Sequence, residues 1–272
     1  MNNPLPNISN TVKLPAWIVG ASFTLFFLTV TGFQGRHVHP ITTNELDEGK
    51  KLISTKSEEF ERFTQRLHQE IVIQDGQDSL SYEALSTAIR GYMYLKQTQE
   101  LADTQYLTII DFSKHCNSKR LWVIDLIGKR VLINEWVAHG AKSGNEYARS
   151  FSNQHRSNKS SLGFYITGSL YYGRNNLSLK LHGLEKNYNS NAFSRGIVIH
   201  GANYISEHIV SRNERIGRSF GCPAVSLAAN KKLVNTIKGG NCLFVYYPNS
   251  NYLNNSSILN KNFYFTLDDL SI

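Results

Sequence analysis

Two different periods run along this chain, and the change between them falls near Tyr106. Before it, apolar residues recur at helical spacing. The stretch "SYEALSTAIRGYMYLKQ" places Tyr82, Leu85, Ile89, Tyr92 and Met93 on one face, with Ser81 positioned to cap the helix. An earlier helical pattern lies within "NELDEGKKLISTKSEEFERFTQRLHQEIVI". From Tyr106 the apolar residues come instead in short β-branched and aromatic bursts punctuated by glycine: "YLTIIDF", "RLWVIDLIGKRVLINEW", "LGFYITGSLYYG", "LSLKLHGL" and "RGIVIHG". "DLIGKRVL" reads as two strands joined by a hairpin turn. A helix follows in "SLAANKKLVNTIKGG", and "NCLFVYYP" reads as a closing strand ended by Pro248. The pattern predicts a mainly β (α+β) body over 106–248, mostly antiparallel, preceded by a helical pre-domain over 37–105. An asparagine-rich tail over 249–272 reads as irregular, with a last short strand at "FYFTL".

The first 36 residues differ again. Leu14 to Gly35 form a run of 22 residues without a charge, preceded by Lys13. A bilayer crossing needs about 20 apolar residues, and a signal-peptide core about 7–15. The run therefore reads as an uncleaved membrane anchor ahead of a cleaved signal segment. Either one places the body outside the cytoplasm.

Composition narrows the partners. At 41% hydrophobic and 18% charged, the chain is globular rather than disordered. The formal net charge of +8 suits an anionic partner, but the cations are dispersed, with no basic block and no nucleic-acid motif. No nucleic acid is expected. The three cysteines cannot all pair within the chain. Cys116 and Cys242 are candidates for each other or for plain buried thiols, which leaves Cys222 unexplained.

Cys222 sits in "RSFGCPAV", between Gly221 and Pro223. Glycine lets the backbone bend so that the Gly221 and Cys222 N–H groups can both face a developing oxyanion. Proline fixes the next φ. That setting suits a nucleophile, which needs a base to generate thiolate. His200, in "GIVIHG", precedes the cysteine by 22 residues. His139, in "WVAHG", has the same glycine context, and His182, in "KLHGL", is a third choice; spacing alone does not rank them. No paired Cys or His spacing of the zinc type occurs, and no G-x-S-x-G supports a serine nucleophile. No metal or cofactor is expected.

"IVIHG" followed by "GRSFGCPAV", and preceded by "SSLGFYITG", resembles the signature of the murein L,D-transpeptidase catalytic domain family. The likeness runs from about 107 to 248. It implies an L,D-transpeptidase-like β-sandwich in which Cys222 is the nucleophile and His200 its base, oriented through a backbone carbonyl at Gly201. Ser219 and Gly221 would shape the oxyanion pocket. Gly163 and Tyr165 would border the substrate groove, and His139 would lie near it. Many members carry an arginine two residues after the cysteine, where this chain has Ala224; Arg218 is the candidate cation for a substrate carboxylate. The implied activity is transfer on peptidoglycan stem peptides in the cell envelope. The alternatives are L,D-carboxypeptidase or endopeptidase activity, or a degenerate wall-binding protein.

Overall fold

The computed structural model describes residues 52–266 and Asp269; the run at 14–35 lies outside them. In chain order the elements are β1 (Ile53–Ser54), α1 (Glu58–Glu70), α2 (Tyr82–Gln97), β2 (Tyr106–Asp111), β3 (Leu121–Asp125), β4 (Arg130–Glu135), β5 (Gly163–Gly173), β6 (Asn176–Gly183), β7 (Val198–Ala202), α3 (Glu207–Ser211), β8 (Ala224–Ser226), α4 (Leu227–Ile237), β9 (Cys242–Tyr246), α5 (Ser250–Asn255) and β10 (Tyr264–Phe265). Eight strands form one hydrogen-bonded order, β4-β3-β2-β9-β5-β6-β7-β8, and β1 pairs with β10 separately. Every pairing in the large sheet is antiparallel except β2–β9 and β7–β8. The sheet-dominated, mostly antiparallel architecture with few helices is the one the sequence pattern predicts. No described helix is long and apolar enough to cross a membrane.

Strands β2, β3, β7 and β9 are buried almost throughout, so their apolar runs show no alternation. Helix α2 covers β2 and β9. The Ser81 hydroxyl caps it by accepting from the Ala84 N–H, and its buried face includes Leu85, Ile89, Tyr92 and Met93. Each such side chain contributes about 1.5–3 kcal/mol by leaving water. Gly91 is what lets the helix approach: a Cβ there would lie 2.0 Å from the Phe164 ring, which stacks on Phe244 at 4.2 Å. Helices α1 and α2 share one core with the sheet, as does the C-terminal tail.

The first part of that tail is helical rather than irregular, and the short strand expected at its end is β10. Asn249 caps α5 by accepting from the Tyr252 N–H, and the helix is tied down through Glu185. This fully buried carboxylate accepts from the Tyr252 hydroxyl at 2.9 Å, the Phe164 N–H at 2.9 Å and the Ser256 hydroxyl. Asparagine in that run is cap chemistry rather than a sign of loose chain.

At the other end of the sheet β8, only three residues long, is its last strand. The segment 138–141 runs beside it: Ala138 N–H donates to Ala224 O at 2.8 Å, Ser219 N–H to His139 O at 3.0 Å, and Ala141 N–H to Ser219 O at 2.8 Å. The cysteine loop is thus held between β7 and this segment.

Candidate active site

In the parallel pairing of β7 and β8, His200 lies opposite Ala224. Directly opposed residues share a face, and the register continued two residues back puts Cys222 beside Val198. The thiol is half-buried. Its S–H donates to the Gly196 carbonyl at 3.6 Å, and the Val198 N–H faces the sulfur and favours thiolate. Burial outweighs this help and pushes the Cys222 thiol above its ordinary value. The resting group is therefore a protonated thiol at neutral pH.

His200 is buried in mid-strand, and its Nδ1 lies 3.0 Å from the Gly201 carbonyl. A carbonyl only accepts, so Nδ1 carries a proton and Nε2 is the nitrogen left for base chemistry. The ring and the thiol are not hydrogen-bonded to each other in the resting state. They are neighbours by register, and such contacts commonly tighten only around substrate.

His139 has a different environment. It is 1% exposed, with Nδ1 accepting from Arg120 Nη2 at 2.8 Å and Nε2 facing the Gly144 carbonyl at 3.3 Å. Burial first, and the Arg120 charge second, push it down to about 4. Both nitrogens are occupied and the ring is buried and neutral, so it offers no free nitrogen to the thiol in this arrangement. Its place is structural: Arg120, also fully buried, binds the Val137 and Lys114 carbonyls and so fixes the segment beside the cysteine loop. His182 stacks on Phe193 and has no hydrogen bond to the thiol among the described residues.

Two further expectations change. The Gly221 N–H is not free for an oxyanion, because it donates to Ser219 Oγ at 3.0 Å; the same hydroxyl donates to the Cys222 carbonyl at 2.6 Å. Ser219 thereby closes the loop, and the Cys222 N–H has no partner among the described residues. Gly221 itself is required by geometry. Its φ is +126°, and a Cβ would lie 2.8 Å from the Lys159 carbonyl. Tyr165 is in the core, not in a groove: β5 pairs it with Leu243 and Gly183, and its hydroxyl donates to the Ser161 carbonyl at 3.1 Å. It lines only a narrow crevice behind the loop, with Ser160, Gly221 and Pro223. Gly163 adopts φ +105°, and a Cβ there would collide with Glu185.

Arg218 is exposed and donates to the Ala141 and Gly144 carbonyls. The cation beside the thiol is Arg195, which the sequence reading overlooked. Its guanidinium donates to the Ser152 carbonyl at 2.7 Å, the Lys159 carbonyl at 2.7 Å, Ser157 Oγ at 3.1 Å and Ser161 Oγ at 2.5 Å. Its charge favours the Cys222 thiolate. No motif marks "FSRGIV"; the one available signal is an arginine at the entrance to the strand that carries His200. Ser160 was missed likewise: it donates to the Gly221 carbonyl at 3.2 Å and accepts from the Gly140 N–H at 3.0 Å. Ser160 of "SSLGFYITG" is therefore a rivet of the cysteine loop, and Ser161 holds Arg195. Tyr204, lying against Gly217, is close enough to Cys222 to feel its charge.

Replacing Arg195 with glutamine is expected to slow alkylation of Cys222 by iodoacetamide several-fold at neutral pH. Losing the cation raises the thiol further, so less thiolate exists at any pH below its inflection, and the inflection moves upward. An Arg195→Lys variant should recover part of the rate. An unchanged pH profile would reduce Arg195 to a purely structural tie.

The family model for the L,D-transpeptidase catalytic domain matches residues 76–246. This chain belongs to that family. The matched span begins ahead of α2 and ends with β9. None of the curated proteins matches. Among solved structures, the chain is similar to an L,D-transpeptidase from Mycobacterium smegmatis, at 12% identity and a TM-score of 0.33, over 53% of this chain and 59% of that one. An L,D-transpeptidase from Stackebrandtia nassauensis matches at 14% identity and a TM-score of 0.31, over 75% and 97% of the two chains. One from Mycobacterium tuberculosis matches at 13% and 0.31, over 53% and 58%. The chain thus spans less than two thirds of the first of these relatives.

Proposed function

We propose that this chain is a peptidoglycan L,D-transpeptidase that works through a thioester on Cys222. The sulfur attacks the carbonyl of the L,D peptide bond in a tetrapeptide stem, and His200 Nε2 takes the thiol proton. The Cys222 N–H stabilises the oxyanion, and the imidazolium returns its proton to the departing D-alanine. An amine of a second stem then attacks the thioester, releasing Cys222 and forming a cross-link. If water attacks instead, the outcome is L,D-carboxypeptidase activity. The carrying observation is the division of hydrogen bonds at the site: Gly201 holds the Nδ1 proton of His200, and Ser219 ties the loop, with the Cys222 N–H unpartnered among the described residues.

The same reading places the body outside the cytoplasm, held by the apolar run at 14–35, where its net positive charge faces a carboxylate-rich polymer. Intact-protein mass spectrometry with a disaccharide-tetrapeptide tests the chemistry. The expected adduct is the stem minus D-alanine, mapped to Cys222. An adduct on Cys116 or Cys242, or none, would overturn the proposal. Dimer against tripeptide among the products separates transfer from hydrolysis.

A further inference from the structure

One face of the sheet carries more chemistry than the nucleophile and its base. In the antiparallel pairing of β6 with β7, Ser178 lies opposite His200 and Lys180 opposite Val198. Opposed residues share a face, so Lys180, and His182 by alternation, stand on the side that bears His200 and Cys222. The other side is taken by α4: a Cβ on Gly201 would come within 3.1 Å of Asn230 and Leu227.

The Lys180 side chain is arranged as a cation without an anion. Its Nζ lies 5.7 Å from the Tyr171 ring centroid and 5.9 Å from that of Phe193. No Asp or Glu forms an ion pair with it among the described residues. The His182 ring stacks on Phe193 at 4.9 Å and 14°, although Phe193 remains 54% exposed. Gly168 makes room beneath them, since a Cβ there would lie 2.8 Å from His182 Nε2 and 3.2 Å from the Lys180 Cβ. Phe193 stands two residues before Arg195, in the segment whose Gly196 carbonyl receives the thiol. The ledge is therefore continuous with the cysteine site.

We infer that Lys180, walled by Phe193 and His182, binds a carboxylate of the stem peptide whose carbonyl Cys222 attacks. The inference rests on the transpeptidase reading above and adds the recognition element to it. Val198 contacts the thiol, and neighbouring strands lie about 4.8 Å apart, so the Lys180 backbone is about 10 Å from the sulfur. An extended peptide advances about 3.3–3.6 Å per residue. The ammonium accordingly meets a carboxylate two or three residues from the scissile bond, while the rings cover the aliphatic part of the chain. A stem peptide carries acidic groups at that range, and a cation on aromatic faces suits an acidic group on an apolar stalk.

The test uses the full chain with Cys222→Ala, so that nothing turns over, and two tetrapeptide stems. One has a free carboxylate on its second residue; the other is amidated there. With Lys180 present, calorimetric titration should show the free-carboxylate stem binding about tenfold more tightly, the usual scale of one charge-assisted hydrogen bond. In Lys180→Ala the preference should vanish, and Lys180→Arg should restore it. A preference that survives in Lys180→Ala, or is absent with Lys180 in place, overturns the inference. If Cys222 in the wild type still acylates under those outcomes, the transpeptidase reading stands alone. If neither stem binds and no adduct forms, both fall together.

Discussion

Replacing Cys222 with serine is expected to abolish acyl-enzyme formation while the protein stays folded. A serine hydroxyl loses its proton far less readily than a thiol. The pocket makes this worse, because burial already disfavours the charged sulfur, and only the Val198 N–H and Arg195 offset it. With a single imidazole as base, the loss should be at least about 10³-fold in acylation rate. The loop should survive, because Ser219 and Ser160 hold it through backbone carbonyls at Cys222 and Gly221 rather than through the thiol. The replacement hydroxyl can itself donate to the Gly196 carbonyl. A change in stability within about 1 kcal/mol follows. Intact mass after incubation with a disaccharide-tetrapeptide, paired with a thermal melt, checks both halves. Cys116 and Cys242 supply an internal control. Both are buried and both thiols are pushed up by burial. Acylation that persists in the serine variant would locate the nucleophile on one of them and end the present assignment.

What could be read along the chain depended on how local the cause was. The change of period at Tyr106, the Ser81 cap and the "DLIG" turn each act within a few residues, and each appears where it was expected. The Gly221–Cys222–Pro223 setting is also local, and the positive φ at Gly221 follows from it. Misjudged features depend on partners distant in sequence. His139 shares its glycine context with His200, but Arg120, 19 residues earlier, occupies its Nδ1. Tyr165 reads as a groove residue until its register with Leu243 buries it. Arg195 acquires its role from Ser152, Ser157, Lys159 and Ser161, which lie 34 to 43 residues away. The asparagine-rich tail reads as loose because neither its cap at Asn249 nor its anchor at Glu185 carries a pattern in composition.

Changing His200 to glutamine is expected to lower the acylation rate by about 10²–10⁴-fold, the usual contribution of a positioned general base. KM should move little, since the ring is buried and its contribution lies in the transition state. Glutamine keeps most of the volume, so the strand between β6 and β8 stays packed. The informative comparison is with iodoacetamide, which needs thiolate but no proton shuttle to a leaving group. Cys222 rests as a thiol because burial raises it. Its alkylation should therefore climb with pH through the alkaline range, and the climb should be nearly the same in wild type and His200→Gln. A preformed thiolate–imidazolium pair would behave differently: alkylation near neutrality would be fast in wild type and would collapse in the variant. His139→Gln makes the matched control. It replaces the ring nitrogen that accepts from Arg120 with an amide oxygen in a different place, and imperfect pairing of that buried cation destabilises the fold by up to about 1–3 kcal/mol. The folded fraction should still acylate at close to the wild-type rate. If His139→Gln instead removes acylation in folded protein while His200→Gln retains it, the base has been misassigned, and the segment at 138–141 must reach the substrate.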